Sequence, residues 1–151
     1  MWECQSMDVQ TAINRVLVRL FRRINTIEEK AICRDEFKNI TLNEAHVIEA
    51  IGENGQSNMT AVAKALDVTT GTLTISVNSL VRKGLVNRER SEEDRRVVLV
   101  SLTDKGRDLH HRHAEFHDRM ISDITDNLDE EEIRILARAL DKLNDFFSSC
   151  E

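Results

Sequence analysis

The spacing of the apolar residues changes once along this chain, and that change limits the folds that are open to it. Before residue 84 and after residue 103, apolar side chains mostly recur every three or four residues, which is the repeat of an α-helix. Between these limits, the segments LVNRER and VVLVSL alternate as strands do, on either side of the polar turn SEEDRR. The sequence therefore predicts a mainly α protein with a small β-hairpin (α+β).

Six helices are predicted around this hairpin. The first extends from Asp8 to about Lys30, after a leader of residues 1–7 that we expect to be disordered and in which Met7 is an alternative start to Met1. The second follows TLNE at 41–44, which has the form of a capping box. The other helices are expected from Asn58 to Leu66, over about 70–83, from Thr103 and from near Asp129.

The order of these elements predicts a winged helix-turn-helix over about residues 41–106. Two short helices joined by the turn DVTTGT form the helix-turn-helix, and the hairpin that follows directly is the wing. The long amphipathic helices at about 8–30 and 104–149 carry apolar stripes that have no partner domain in the chain. We therefore expect one domain over 8–151 whose outer helices pair two copies into a homodimer.

Composition excludes several classes of function. The 151 residues contain no run of 18 apolar residues and no secretory signal, so we expect a soluble cytoplasmic protein. Cys4, Cys33 and Cys150 are odd in number and far apart, which argues against a disulfide framework and against CxxC sites. No nucleophile elbow or phosphate-binding loop occurs, so we expect neither an enzyme nor a bound cofactor.

Charge is distributed unevenly along the chain. The net charge is −6, yet residues 58–106 hold eight basic and six acidic residues and are the only third with a positive balance. Residues 107–151 hold six basic and twelve acidic residues. Because nucleic-acid binding depends on local charge, an acidic remainder does not exclude a DNA-binding face in the middle of the chain.

The predicted fourth helix has the composition of a DNA-recognition helix. Its inward stripe consists of Leu73, Val77, Leu80 and Val81. The opposite face is small and polar, and the segment between Asp67 and Glu89 lacks acidic residues, whereas an ordinary solvated face usually carries Glu and Lys. Hydroxyl groups near the start suit DNA phosphates: Thr69, Thr70 and Thr72. Later residues suit base edges, a thymine methyl group or the backbone: Thr74, Ile75, Asn78, Ser79 and Arg82.

Residues 41–107 resemble the MarR family of bacterial winged-helix regulators. The resemblance rests on an Asp-x-Arg wing tip followed by Leu-Thr-x-x-Gly, which here are Asp94, Arg96, Leu102, Thr103 and Gly106. It implies that Arg96 enters the DNA minor groove and that Asp94 holds its side chain. A narrow A·T-rich groove has a negative potential that attracts a guanidinium group. The remaining basic residues of the wing are then expected along phosphates: Arg88, Arg90 and Arg95.

Within that family, the chain from Met7 to about Phe147 is similar to the fatty-acid-biosynthesis repressor (FabT-type) branch. The similarity is carried by VTTGTLTISVNSLVRKG, RSEEDRRVV and GRDLHHRHAEFHDRM. It implies a homodimeric repressor of type II fatty-acid synthesis genes that binds an A·T-rich inverted repeat of double-stranded DNA. It also implies that long-chain acyl carrier protein is the corepressor, so that binding this partner tightens DNA binding.

An acyl chain needs an apolar slot, and the junction of helices 1, 2 and 5 can supply one. The expected lining is Phe21, Ile24, Val47, Ile51 and Phe116, with His113 at its edge. Carrier proteins are acidic, so Arg19, Arg22 and Arg23 on helix 1 are expected docking points. The same residues also fit a simpler interpretation, in which they form core and solvated surface.

Two other sensing mechanisms remain open from the sequence. A zinc-responsive repressor would use ligands drawn from Cys33, Glu44, His46, His113 and His117, of which the last two are spaced i, i+4 on one helix. A thiol-based redox sensor would use Cys33, the one cysteine in the body of the fold. Alternatively, the histidines are packing residues held by hydrogen bonds or respond to pH.

Overall fold

The computed structural model describes residues 2–149, with side chains from Val9 onward. It confirms a mainly helical chain with a small sheet as the wing. A 3-10 turn, Asp35–Phe37, precedes α2. The elements are α1 Trp2–Ile32, α2 Leu42–Ile51, β1 Ser57–Asn58, α3 Met59–Ala65, α4 Thr70–Arg82, β2 Val86–Arg90, β3 Val98–Leu102, α5 Asp104–Thr125 and α6 Glu130–Ser148.

The sequence predicts a single domain. In the structure the chain divides into two compact units. The first comprises residues 1–114 and the second residues 115–151, so helix α5 begins in one and ends in the other. Between Trp2 and Ser149, no helix has the length and apolar character that crossing a membrane requires.

Helix α1 starts earlier than the periodicity predicts. It begins at Trp2, so residues 2–7 of the predicted disordered leader belong to the helix, and residue 1 lies outside the described residues. The chain contains no proline, and its first glycine is Gly52. Without a helix-breaking residue, nothing in residues 2–7 interrupts the backbone hydrogen bonding of α1.

Local capping sets the boundaries of the recognition helices as predicted. At α2, the Thr41 hydroxyl accepts the Glu44 amide at 3.2 Å and the Glu44 carboxylate accepts the Thr41 amide at 2.9 Å. The α4 helix ends at Arg82, and the φ of +75° at Gly84 lets the Leu85 amide turn back to the Leu80 carbonyl at 3.0 Å. The wing strands therefore start in a fixed direction from the end of α4.

The wing is a three-stranded antiparallel sheet in the order β1-β3-β2, not the two-stranded hairpin that the sequence predicts. Strands β2 and β3 pair as expected, with Val86 opposite Leu102 and Arg90 opposite Val98. The added strand β1 pairs Ser57 with Val100 and Asn58 with Leu99. Two residues are too short for a period-2 pattern, so only the tertiary structure reveals this strand.

The Leu-Thr-x-x-Gly segment joins the wing to α5. The Thr103 hydroxyl donates to the Gly84 carbonyl at 2.7 Å and accepts the Gly106 amide at 3.1 Å, so it caps α5 and holds the α4–β2 turn. A Cβ at position 106 would overlap the carbonyl oxygen of Leu85. Glycine is therefore required where α5 crosses the backbone that leaves α4.

Apolar residues of α2, α4, the sheet and the start of α5 form the core of the first unit. Its fully buried members include Ile48, Leu73, Val77, Leu80, Leu85 and Leu109. This core anchors one face of α4, and the opposite face of the helix is therefore held toward solvent.

The second unit consists of the end of α5, the turn at 126–129 and α6. Asp129 caps α6 in a capping box with Glu132, as the acidic start of this helix predicts. No residue of α6 is buried. Its apolar stripe is exposed and includes Ile135, Leu136, Leu140, Phe146 and Phe147.

Candidate nucleic-acid interface

Helix α4 presents the predicted polar face to solvent. Leu73, Val77 and Leu80 are buried as expected, and Ile75 on the opposite side is 73% exposed. Val81, predicted in the buried stripe, is exposed at the edge of the helix, because the last turn of α4 is covered on one side only. A single exposed apolar residue is ordinary on a protein surface, so Ile75 supports a contact face only together with the polar side chains around it.

The start of α4 is arranged for an anion. Thr69 is the N-cap, and its hydroxyl accepts the Thr72 amide at 3.1 Å and lies 2.9 Å from the Thr72 hydroxyl. Thr70 and Thr72 are exposed, and the first turn contains no acidic residue. A helix N-terminus carries partial positive charge and unpaired amide groups, so these residues can receive a DNA phosphate.

Farther along α4, the predicted base-reading residues divide into two groups. The Asn78 carbonyl oxygen accepts Arg88 Nη1 of β2 at 2.8 Å, which joins the recognition helix to the wing. The Thr74 hydroxyl donates to the Thr70 carbonyl at 2.7 Å and lies on the same side of the helix. Ser79 lies toward the buried Glu44 of α2 and helps to lower the pKa of that carboxyl, and its predicted role as a base-edge reader stays a prediction. A hydroxyl at that position faces the Glu44 side of the helix.

A groove of about 400 Å³ lies between α3, α4 and the wing. Its polar lining combines hydroxyl and amide groups with two guanidinium groups: Asn58, Thr60, Thr70, Thr74, Arg88 and Arg96. The lining contains no carboxylate. This surface can donate many hydrogen bonds to an anionic ligand, and it contains no negative side chain that would repel such a ligand.

The tip of the wing is held by backbone contacts. The Ser91 hydroxyl accepts the amides of Glu93 and Asp94 at 3.2 and 3.4 Å. The Asp94 carboxylate accepts the Arg96 amide at 2.9 Å. Among the described residues Asp94 forms no ion pair with the Arg96 guanidinium, so the contact in this structure is to the backbone, and the anchoring of the side chain stays a prediction. Asp94 thus shapes the turn and leaves the Arg96 side chain available.

The other wing arginines are equally accessible. Arg90 and Arg95 are exposed on the side of the wing that also carries Ser91 and Glu92. Within residues 9–149, no carboxylate pairs with Arg90, Arg95 or Arg96. Arg82, at the end of α4, is exposed too. The first unit therefore combines an acid-free helix face with free guanidinium groups on the wing, which is the arrangement of a phosphate-binding surface.

The residues predicted to line the acyl slot differ in their exposure. Val47 and Ile51 are buried in the hydrophobic core, whereas Phe21 on α1 is 61% exposed and Ile24 is half-buried. Phe116 belongs to the second unit. The side chain of His113 is buried as a member of a polar cluster.

That polar cluster centres on Glu28, which the sequence does not predict as a site residue. Glu28 Oε1 lies 2.6 Å from His113 Nε2 and 3.2 Å from His46 Nε2, and the two imidazole rings stack at 5.4 Å. Burial raises the pKa of Glu28, but the hydrogen bonds and charge of His113 and His46 outweigh burial and leave that pKa below its ordinary value. The sequence does contain a signal for this residue. Glu28 lies one helical turn from both Ile24 and Ile32, so it belongs to the inward-facing stripe of α1.

The predicted metal set is only partly assembled. His46 and His113 meet at Glu28, but Glu44 is held by Lys83 Nζ, 2.7 Å from both carboxylate oxygens. Burial raises the pKa of Glu44, and the hydrogen bonds of Lys83, the Thr41 amide and Ser79 lower it to below the ordinary value. Glu44 therefore serves as a cap and ion-pair partner. His117 lies in the second unit beside the Phe116 ring.

The environment of Cys33 disfavours a thiolate. Burial raises the pKa of the thiol, and the negative charges of Glu29, Glu44 and Glu28 raise it further. A redox-sensing cysteine needs a lowered pKa and good access, and Cys33 is half-buried and packed against the core. The structure therefore argues against the thiol-sensor alternative.

Comparison with known proteins connects this geometry to a family. The family model described as Transcriptional regulator SarA/Rot matches residues 30–112. The chain is 30% identical to the HTH-type transcriptional regulator MhqR of Bacillus subtilis over 132 residues, which cover 85% of this chain and 86% of that protein. It is 29% identical to the uncharacterized HTH-type transcriptional regulator YpoP of the same organism, over 66% of this chain and 64% of YpoP. The match thus spans less than two thirds of YpoP.

A solved structure is similar over nearly the whole chain. The crystal structure of Streptococcus pneumoniae FabT in complex with DNA superposes with a TM-score of 0.88 at 40% sequence identity. The superposition covers 94% of this chain and 99% of the FabT chain.

Proposed function

The chain belongs to the SarA/Rot family of DNA-binding transcriptional regulators, winged-helix proteins of the MarR type and not enzymes, and on this premise we propose that it represses type II fatty-acid biosynthesis genes. The similarity to FabT, which was crystallised with DNA, supports the choice of branch. The observation that carries the proposal is the acid-free groove between α4 and the wing, with its free arginine at the wing tip.

In this proposal α4 enters the major groove and the wing follows the adjacent minor groove. Thr69, Thr70 and Thr72 contact phosphates from the start of α4, and Thr74, Ile75 and Asn78 face base edges. Arg96 inserts into a narrow A·T-rich minor groove. Phosphate contacts flank these elements and come from Arg82, Arg88, Arg90 and Arg95.

The regulator acts as a homodimer in the cytoplasm. Both units carry exposed apolar residues that water disfavours, including Ile13 and Val16 on α1 and Leu140 on α6. Pairing these surfaces in a second copy places two recognition helices on one duplex. A two-fold dimer then reads an inverted repeat whose half-sites lie about one helical turn apart.

We propose long-chain acyl carrier protein as the corepressor. Phe21 and Ile24 offer the apolar surface of α1 to the acyl chain. Val47, Ile51, His113 and Phe116 remain proposed effector residues, and Val47 and Ile51 become accessible only if the packing of the first unit loosens. A corepressor acts because it binds the DNA-competent conformation more tightly than the other conformation.

Fluorescence anisotropy with labelled operator DNA tests this function. Wild-type protein should bind an A·T-rich inverted repeat, and long-chain acyl carrier protein should tighten that binding several-fold. Unacylated carrier protein is the matched control and should have no such effect. An identical operator affinity in the presence of both carrier proteins would contradict the corepressor role, while a loss of all operator binding would contradict the DNA-binding role.

The Glu28–His46–His113 cluster favours one second candidate, a zinc-responsive repressor. Two imidazole nitrogens lie within 3.2 Å of one carboxylate oxygen, and imidazole and carboxylate are ligand types that zinc accepts. Zinc would then tighten operator binding and a chelator would reverse it. The variant His46→Ala, His113→Ala would lose that response. A zinc response combined with indifference to acyl carrier protein would replace the fatty-acid proposal.

A further inference from the structure

Helix α1 carries a second acid-free basic region, apart from the DNA-binding groove. Residues 9–27 contain no Asp or Glu and hold four arginines, in a chain whose net charge is −6. The other long acid-free stretch, residues 68–88, contains the recognition helix. Absence of acidic residues over five helical turns is unusual for a solvated helix in an acidic protein, and it concentrates positive potential on this segment.

The four arginines lie on one face of α1. Arg15, Arg19, Arg22 and Arg23 are spaced i, i+4, i+7 and i+8, and we call them the arginine stripe. All four are exposed, and none of them pairs with a carboxylate in the part of the chain that the structure describes. Elsewhere exposed arginines do find intrahelical partners, as Arg134 does with Glu130 at 3.3 Å.

The arginine stripe is separate from the surface that we assign to the homodimer. The exposed apolar stripe of α1 lies on a different face, about a third of a turn away by helical spacing, and consists of Val9, Ile13, Val16, Leu20 and Ile27. Val18 borders the arginine stripe on its other edge, and Phe21 lies about a sixth of a turn beyond Val18 by helical spacing; their side chains are 54% and 61% exposed. Pairing through the first face therefore leaves the arginines, Phe21 and Val18 accessible.

This composition fits an acidic protein better than a nucleic acid. Protein interfaces are enriched in arginine and aromatic residues, with apolar anchors beside the charges. A phosphate-tracking surface adds hydroxyl and amide donors, as α4 does, and gains little from exposed Phe21 and Val18. The arginine stripe is also on an element that contributes no residue to the lining of the DNA-binding groove.

We propose that the arginine stripe is the docking surface for a carboxylate-rich helix of an acidic carrier protein, with Phe21 and Val18 contacting apolar atoms at its edge. The inference rests on the proposed function for the identity of the carrier and adds where it binds. Carboxylates of the carrier pair with the guanidinium groups, and the acyl chain is delivered beside Phe21 and Ile24. Attraction between the arginines and the carboxylates of the carrier accelerates association of the two proteins. Dissolved salt screens this attraction, so the affinity depends on salt concentration.

Charge reversal tests this surface in the full-length dimer. The variant Arg19→Glu, Arg22→Glu should reduce affinity for long-chain acyl carrier protein about tenfold or more at 0.1 M salt, as loss of a charge pair predicts. Its operator affinity without carrier protein should equal that of the wild type. The control Arg138→Glu, Lys142→Glu makes the same charge change at exposed residues one turn apart on α6 and should keep the wild-type response.

Direct binding of the carrier by calorimetry and operator binding by anisotropy separate the outcomes. A variant that binds acyl carrier protein as well as the wild type overturns the docking surface and leaves the proposed function intact. A variant that loses operator affinity without carrier, while keeping its melting temperature, shows that the stripe binds nucleic acid and overturns the inference. A wild-type protein that ignores acyl carrier protein overturns both the corepressor role and the docking surface.

Discussion

A single carboxylate at the wing tip holds the backbone of the residue that carries a free guanidinium group. Asp94 accepts the backbone amide of Arg96, and Ser91 closes the same turn from the other side. The turn is thereby fixed before DNA binds, and the Arg96 side chain keeps its full donor capacity for the minor groove. Preorganisation of this kind lowers the entropic cost of binding because the backbone loses no further freedom.

Arg96→Ala should weaken operator binding by about 1–3 kcal/mol, the range for one specific contact. Thermal unfolding should be unchanged, because the exposed side chain contributes little to the core. Arg95→Ala is the matched control, and it should weaken binding less and equally for all DNA sequences. Anisotropy on an A·T-rich and a G·C-rich central sequence measures both effects, and equal affinities of Arg96→Ala and wild type would remove the minor-groove role.

Asp94→Asn and Asp94→Ala separate the two possible roles of this residue. Asparagine keeps an oxygen that accepts the Arg96 amide, so Asp94→Asn should retain most of the operator affinity. Alanine removes the acceptor and should lower affinity in the direction of Arg96→Ala. If both variants lose affinity equally, the negative charge acts on the guanidinium and the backbone role is wrong.

Gly106→Ala should destabilise the fold by about 1–3 kcal/mol, because the new Cβ would overlap the Leu85 carbonyl and force the start of α5 away from it. Calorimetry should record a melting temperature lower by several degrees. Gly71→Ala is the control, since its nearest side-chain atom would be 3.7 Å away and alanine favours a helix. A melting temperature unchanged by Gly106→Ala would contradict the close approach.

Between elements, buried carboxylates hold the helices that carry the recognition face. Glu44 caps α2 through the Thr41 amide and at the same time receives Lys83 from the end of α4. Glu28 of α1 similarly joins His46 of α2 and His113 of α5. The orientation of α4 therefore depends on charge as well as on apolar packing, and this makes the first unit sensitive to acid.

The pKa of Glu44 lies below the ordinary value of 4.5, so its ionised form is favoured in the folded state. Its contribution to stability is present above that value and is lost as the pH falls through it toward the lowered pKa. Glu44→Gln should cost about 1.5–3 kcal/mol at pH 7, and the difference from wild type should shrink by pH 3. Urea unfolding at fixed protein concentration measures this, with Glu92→Gln on the exposed wing as control. A difference that is constant with pH would refute the role of the Glu44 charge.

At the scale of the whole molecule, charge and apolar surface are segregated. Residues 58–106, with the recognition helix and the wing, carry the positive balance, and residues 107–151 carry twice as many acidic as basic residues. Exposed apolar side chains concentrate on α1 and α6. This distribution supports the proposals that the recognition helix and wing bind a polyanion and that α1 and α6 associate with proteins.

Leu140→Asp should convert the dimer to a monomer, because a carboxylate in an apolar interface cannot be solvated there. Sedimentation velocity should show the change at micromolar concentration, and operator affinity should fall with it. Ile75→Asp is the matched control: it also replaces an exposed apolar residue, but on the DNA face, so it should remain dimeric. Dimeric Leu140→Asp would exclude α6 from the interface.

The logarithm of operator affinity should fall steeply and linearly with the logarithm of salt concentration. Each protomer offers Arg88, Arg90 and Arg95 to phosphates, and each neutralised phosphate adds about 0.9 to the slope. Removing Arg95 should reduce the slope by about one for each protomer that makes the contact. A salt response that is flat would mean that the groove between α4 and the wing does not bind DNA.

The sequence alone determined most of the elements of this protein, and the tertiary structure decided which side chains meet. Periodicity, the Thr41–Glu44 capping box and the glycine at 84 predict α2, α4 and the β2–β3 hairpin correctly, because each signal depends on neighbours within a few residues. Leu-Thr-x-x-Gly and the wing arginines are also readable from local pattern.

Contacts between residues that are far apart in the sequence could not be predicted from the local sequence pattern. Strand β1 is defined by its pairing with β3, and Glu44 is held by Lys83 thirty-nine positions away. Glu28 becomes a site residue only where α1, α2 and α5 bring it to two histidines. Local propensity acts through the backbone of one segment, whereas the partner of a polar side chain depends on how whole helices pack.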